Sequence, residues 1–268
     1  MTIKVQNPRI MGVLNFTPDS FSDGGKYADI DKAVEQAKLM VSQGADIIDI
    51  GGESTRPGAQ AVSAQAELER VIPIISELKK TSDITISVDT SKPEVMSKAL
   101  AMGVDMVNDV CALTSPGAVE VLANSQAQVC LMHMQGSPRS MQNNPNYQNV
   151  VDDIKAFFAQ RLEVCESAGI ESKRIILDPG FGFGKTLEHN LEILKRFEEF
   201  KSFGLPVLAG LSRKSMIGSI LDNRPVDGRV TGSVIGAIIA LKNGADIVRV
   251  HDVLETKDAI DIWNRVYG

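Results

Sequence analysis

Asp89 in SVDT, Asn108 in MVND and Asp178 in ILDPG each close a short apolar run. A carboxylate or amide at the edge of an apolar core has lost water and needs a partner. For an aspartate that partner is a structural Arg or Lys, or a ligand with paired N–H groups such as a 2-aminopyrimidinone ring. An Asp/Asn/Asp set suits the edge of a flat heterocycle better than a phosphate; a heterocycle site and a structural network both stand at this level. Cations gather elsewhere. Arg249 and His251, two residues apart in RVHD, share one face of a strand. STRPG supplies Arg56, and SRKS supplies Arg213 and Lys214. Cations concentrated in a chain of net charge −6 are what an oligophosphate group needs. SRKS is alternatively the solvated start of a helix, or an anion cradle built from Ser215 and backbone N–H groups. Asn15 offers a neutral oxygen suited to Mg²⁺, which keeps most of its water and takes one or two protein oxygens plus phosphates. His133 reads as a satisfied strand-end histidine and His189 as an exposed helix residue.

The stretch DPGFGFGKT, residues 178–186, imitates a nucleotide loop. A phosphate loop of that kind needs a glycine five positions before the Gly of Gly-Lys-Thr. Counting back from Gly184 reaches Pro179, and no acidic strand completes the site. The simpler reading is that Asp178 ends a strand and the glycines let the backbone turn tightly and approach a flat ligand.

These residues need a scaffold that brings them together. Eight short apolar runs recur, at 9–15, 46–52, 84–90, 105–110, 128–134, 174–180, 206–212 and 246–252. Each is short enough for a strand buried on both faces. Helical periodicity fills the intervals: DKAVEQAKLMVSQG places Val34, Ala37, Leu39 and Met40 on one side. Several helices stop at Gly before a small apolar residue, as in QGAD, MGVD and NGAD, which fits a left-handed cap. Strand and helix thus alternate eight times with no Pro/Gly/Ser linker, over 268 residues. That pattern and size predict one domain, residues 1–268, folded as a (β/α)₈ barrel of the TIM type. The rival open doubly wound sheet usually carries a glycine fingerprint after its first strand, where this chain has NFTPDSFSDGG. In a barrel the polar ends of the runs converge on one rim, where active sites are built. FTPDSFSDGGKY and GGESTRPGAQAV are candidate lids on that rim, or plain surface loops.

Composition removes other classes. A net charge of −6 and a pI near 5.2 argue against nucleic acid as a partner. Three cysteines without CxxC spacing argue against a disulfide framework and a zinc site, and Cys130 in QVCLMHM reads as a small core residue. No apolar run approaches the roughly 18 residues of a membrane span, and the N-terminus has no signal-peptide pattern. The expectation is a soluble cytoplasmic protein.

GVLNFTPDSFSDGG, IDIGGESTRPG, SVDTSKPEV, the Asn108-Asp109 pair, CLMHMQGSP, LDPGFGFGK, LSRKSMIG and RVHDV, in this order from about residue 9 onward, resemble the bacterial dihydropteroate synthase family. The resemblance implies a (β/α)₈ barrel, usually a homodimer. The implied reaction condenses 6-hydroxymethyl-7,8-dihydropterin diphosphate with 4-aminobenzoate, releasing pyrophosphate and 7,8-dihydropteroate for folate synthesis. By resemblance, Asp89, Asn108, Met132, Asp178, Lys214 and Arg249 match the pterin positions. Asn15, Thr55, Arg56, Arg249 and His251 match the diphosphate site, with Mg²⁺ on Asn15. Phe21, Thr55, Pro57, Phe183, Lys214 and Ser215 match the surroundings of the aminobenzoate. Asp23 joins Thr55, Arg56 and Pro57 on two loops that close over the substrates in that family.

The implied chemistry is dissociative, because the dihydropterin can delocalise the positive charge left when pyrophosphate departs. Arg56, Asp23, Lys214, Arg249 and His251 are the expected catalytic set, and an unprotonated arylamine needs no strong base. Phe21, Pro57 and Ser215 have the identities of a sulfonamide-susceptible pocket. Three rivals remain. A methyltetrahydrofolate–corrinoid methyltransferase would share the heterocycle grip but has no use for cations around a diphosphate. A non-catalytic pterin-binding module would show degenerate cations. A barrel aldolase would want a Schiff-base lysine, for which only Lys214 could be argued.

Overall fold

The computed structural model of the protein describes residues 8–17, 26–54, 60–136, 141–142 and 144–267. Eight parallel strands occur among them: β1 (Arg9–Asn15), β2 (Ile47–Gly51), β3 (Thr85–Asp89), β4 (Met106–Asp109), β5 (Gln128–Met132), β6 (Ile175–Asp178), β7 (Leu208–Ala209) and β8 (Ile247–Val250). Hydrogen bonding runs in the order β6-β5-β4-β3-β2-β1-β8-β7. A single bridge between Leu177 and Val207 draws β6 to the segment before β7 and closes the ring. The eighth-strand pattern is therefore a (β/α)₈ barrel. The helices between strands are α1 (Lys26–Ser42), α2 (Ala64–Thr81), α3 (Pro93–Ala101), α4 (Ala118–Ala123), α5 (Val150–Ser167), α6 (Leu187–Lys195), α7 (Ser215–Ile220), α8 (Val230–Lys242) and α9 (Val253–Tyr267).

Strand side chains alternate, so each strand feeds two cores. Ile10, Ile48, Ile86, Val107, Val129, Ile175 and Val248 point outward into the large core shared with the helices. Met11, Ile47, Met106, Cys130, Ile176, Leu208 and Ile247 point inward and form a separate plug. One inward step closer to the C-terminal rim the residue type changes: Asp49, Ser87, Asn108 and Arg249 follow Ile47, Thr85, Met106 and Ile247. The barrel thus has an apolar floor and a polar mouth. Cys130 is fully buried in that floor.

Two sequence expectations need correction. The run 206–212 yields a strand of only two residues, β7, because the chain leaves the ladder to build the rim turn. Leu39 is 48% exposed, whereas Ala33, Val34, Ala37 and Met40 form the buried stripe of α1; an i, i+3, i+4 face through Ala33 excludes position 39. The glycine stops are left-handed caps, with φ of +101° at Gly44, +81° at Gly103 and +100° at Gly244. Among the described residues no helix is long and apolar enough to cross a membrane.

Candidate active site

The mouth is organised around Arg249, which rises from β8 between two carboxylates. Its Nε donates to Asp49 Oδ2 at 2.6 Å and its Nη2 to Asp89 Oδ2 at 2.7 Å. The Asn108 amide donates to the same Asp49 oxygen at 3.0 Å. Burial pushes the Asp89 carboxyl up to about 7, with Arg249 opposing. Burial also pulls on the Arg249 guanidinium, but Asp49 and Asp89 outweigh it and hold it above its ordinary value. Asn15 reaches the same place from the end of β1: a Cβ placed on Gly51 would stand 3.3 Å from Asn15 Oδ1 and 3.7 Å from Asp89 Oδ2.

Asp178 and Lys214 form the opposite wall. Asp178 Oδ1 accepts from Gly180 N at 2.8 Å, and burial raises its carboxyl while Lys214 opposes. Lys214 Nζ donates to the Phe181 carbonyl at 2.5 Å and lies 4.6 Å from the centre of the Phe183 ring. Burial lowers its amine to about 8. Gly210 lies between the two cations: a Cβ there would make ordinary contact with Lys214 Nζ at 3.8 Å and Arg249 Cβ at 3.9 Å. Met132, paired in register with Asp178, adds a buried apolar side chain.

Two glycines of 178–186 serve close packing of backbone. Gly180 and Gly184 have φ of +70° and +63°. A Cβ would fall 2.0 Å from the His133 carbonyl oxygen at Gly180 and 2.5 Å from the Gln135 carbonyl at Gly184. The loop is pressed onto the end of β5 at these two glycines, while a Cβ on Gly182 would meet Lys214 Cδ at 3.4 Å. Lys185 fastens it, with Nζ 3.0 Å from His133 Nδ1, 3.3 Å from the His133 carbonyl and 3.0 Å from the Phe183 carbonyl. Burial, then the Lys185 charge, lowers His133 to about 2, so its neutral ring accepts through Nδ1. His133 is the satisfied strand-end histidine that its position suggests. His189 is not simply exposed: it completes a capping box with Thr186 and lies edge-on to Tyr147 at 4.9 Å.

At the last strand, the His251 backbone N and Nδ1 lie 3.1 and 3.0 Å from Ser212 Oγ. Arg213 leaves the cationic cluster: in a left-handed backbone, φ +58°, it forks onto Asp252, with Nε 3.0 Å from Oδ2 and Nη2 on Oδ1. Ser215 is exposed as the first residue of α7. Phe21, Asp23, Thr55, Arg56 and Pro57 lie outside the described residues. Among the described residues no group of three His, Cys, Asp or Glu side chains is placed to hold a metal. The structure therefore brings Asn15, Asp89, Asn108, Met132, Asp178, Phe183, Lys214, Arg249 and His251 to one rim. It adds Asp49 and Lys185, which sequence reasoning missed. Asp49 carried a signal, an acid inside the otherwise apolar run IIDIG.

A barrel with buried carboxylates and an amide facing half-buried cations at its C-terminal mouth has the makings of a pterin site, and the family model described as pterin binding enzyme matches residues 11–251. The dihydropteroate synthase of Haemophilus influenzae is 54% identical over 96% of this chain and 93% of its own length. The crystal structure of the Yersinia pestis dihydropteroate synthase in a sulfonamide complex superposes with a TM-score of 0.93 at 49% identity, covering 99% of this chain and 96% of that one. The Xanthomonas albilineans dihydropteroate synthase in complex with 7,8-dihydropteroate gives 0.89 at 42% identity, covering 98% and 95%. The chain belongs to the dihydropteroate synthase family of pterin-binding enzymes.

Proposed function

We propose that the protein joins 6-hydroxymethyl-7,8-dihydropterin diphosphate to 4-aminobenzoate by a dissociative, Mg²⁺-assisted path, in the cytoplasm and as a homodimer. The observation that carries the reading is the placing of Asp89, Asn108 and Asp178 around the Arg249–Lys214 pair within one barrel mouth. Asp178 takes the paired N–H donors of the ring, Lys214 its carbonyl, and Asn108 and Asp89 its remaining polar edge. Met132 packs against the ring from the apolar side.

The reacting bond is the carbon–oxygen bond between the pterin methylene and the diphosphate. It breaks with both electrons leaving on oxygen, and the methylene cation is shared with the electron-rich ring. The arylamine lone pair then forms the carbon–nitrogen bond, and one amine proton is lost to the medium. Arg249 and His251 stabilise charge as it grows on the departing diphosphate, with Thr55 and Arg56 assigned beside them. Phe183, Lys214 and Ser215 flank the amine, with Phe21, Thr55 and Pro57; Asp23 completes the loop set. Asn15 fits Mg²⁺: its amide oxygen is a hard, neutral donor beside the Asp89 carboxylate. When bound there, the ion supplies further positive charge for the phosphate oxygens.

The Yersinia pestis relative was crystallised with a sulfonamide, which supports sulfonamides as inhibitors here, competing with aminobenzoate. Exposed Ile220, Ile235, Ile239, Leu254, Ile262 and Val266 on α7, α8 and α9 support a second copy of the chain as partner. Sedimentation as a monomer would refute the dimer. Incubation with both substrates and Mg²⁺ must give 7,8-dihydropteroate by mass and an equivalent of pyrophosphate. Methyl transfer without pyrophosphate would indicate the corrinoid-type alternative. Labelled bridging oxygen should scramble into the non-bridging positions when the amine is withheld, and its retention would refute the dissociative path.

A further inference from the structure

Asp49 is fully buried on the inward face of β2, two residues short of the strand's last residue, Gly51. Its Oδ2 accepts from both Arg249 Nε and Asn108 Nδ2, while its Oδ1 has no partner among the described residues. That is a poor arrangement for a purely structural ion pair. A carboxylate that only had to neutralise arginine would use both oxygens in a fork, and Asp252 does so with Arg213 in the same molecule. Buried ion pairs contribute little net stability even when saturated, and an idle buried oxygen makes the balance worse. The asymmetry follows from where Asn108 and Arg249 have to stand.

We infer that Asp49 is a positioning residue for the pterin grip, one that fixes Asn108 as an acceptor toward the ring and fixes the plane of Arg249. A carboxylate can only accept, so the Asn108 –NH2 must turn toward Asp49 and its carbonyl oxygen away from it. An asparagine without this lock presents donor or acceptor with a simple flip of the amide. With it, position 108 offers an oxygen and selects a ring edge that carries an N–H. The guanidinium is fixed at the same time, with Nε on Asp49 and Nη2 on Asp89, leaving Nη1 for the mouth. Asp49 thereby sets polarity in the heterocycle site without touching the heterocycle. The inference rests on the pterin reading given above.

The test uses the full-length protein with 6-hydroxymethyl-7,8-dihydropterin as probe. Asp49→Leu fills a similar volume and offers no acceptor, so the Asn108 amide is free to flip and the lock is lost. The expected result is a dissociation constant for the pterin raised about tenfold or more, equivalent to about 1.4 kcal/mol per decade. The KM for aminobenzoate should stay within about threefold, a split that general loosening of the barrel would not produce. Asp49→Asn is the conservative control: Arg249 can only donate, so it holds the new amide with its oxygen at the shared point, where Asn108 still finds an acceptor. Pterin affinity in that variant should stay within about threefold of wild type. Wild-type pterin affinity in folded Asp49→Leu, or a tenfold loss in folded Asp49→Asn, overturns the inference. If Asp49→Leu does not fold, Asp49→Ala is read in its place with the same two outcomes. Failure of the wild-type protein to bind the pterin would instead count against the functional reading.

Discussion

Replacing Arg249 by alanine removes the side chain that, among the described residues, bridges Asp49 and Asp89. The two carboxylates are 0% and 8% exposed, so water cannot substitute for the guanidinium. Breaking a buried pair by deleting one partner destabilises by about 3–5 kcal/mol. Asp89 also makes the deficit depend on pH. Its folded carboxyl stands at about 7, above the unfolded value of 3.8, and Arg249 is the main influence holding it down. Without Arg249 it titrates higher still. A raised carboxyl means that the folded state binds the extra proton, so stability falls as pH rises toward the folded value. At pH 6 Asp89 is mostly protonated in both proteins and contributes little to their difference; above about pH 7 the wild-type carboxylate is charged and paired, while the variant has nothing to pair with. Urea denaturation at pH 6 and pH 8.5 should therefore give a stability loss that is larger at the higher pH. Activity should fall by at least about a hundredfold in kcat, the scale for losing one preorganised donor at developing charge. A loss below about 1 kcal/mol, or one that is the same at both pH values, would refute the reasoning.

Lys214, lowered to about 8 by burial, loses its charge above that value, so kcat/KM should decline as pH rises through about 8; Lys214→Arg, charged throughout, should remove the decline even if the rate is lower. Lys185→Met leaves the acceptors on His133 and Phe183 without a donor and should cost about 2 kcal/mol or more in urea denaturation. Gly180→Ala would force a Cβ to within 2.0 Å of a backbone oxygen in a left-handed conformation. A loss of about 3 kcal/mol or more, read by thermal melting, is expected there.

Much of this site was legible because a barrel converts position in the chain into position in space. An apolar run followed by Asp, Asn or His states that the polar group sits at the rim, and Asp89, Asn108, Asp178 and His251 were found that way. What the rule lacks is direction. Arg213 follows a strand as Lys214 does, yet its left-handed backbone turns it to Asp252. Spacing alone cannot register one residue's φ. Asp49 escaped because it lies within a run rather than at its end, where a single acid reads as an interruption of the apolar pattern. Its meaning depends on Arg249, 200 residues away in sequence. The packing of Gly180 and Gly184 against the β5 strand end was not legible, because it depends on His133 and Gln135, about fifty residues away in sequence.

The central claim is a division of labour: carboxylates and an amide hold the heterocycle, and cations hold the diphosphate. The most direct measurement compares two ligands, 6-hydroxymethyl-7,8-dihydropterin and its diphosphate, on Asp178→Asn and His251→Ala. Asp178→Asn should weaken both ligands by the same factor, about tenfold or more, and His251→Ala should weaken only the diphosphate. Equal effects of His251→Ala on both ligands, or an Asp178→Asn effect confined to the diphosphate, would contradict the account.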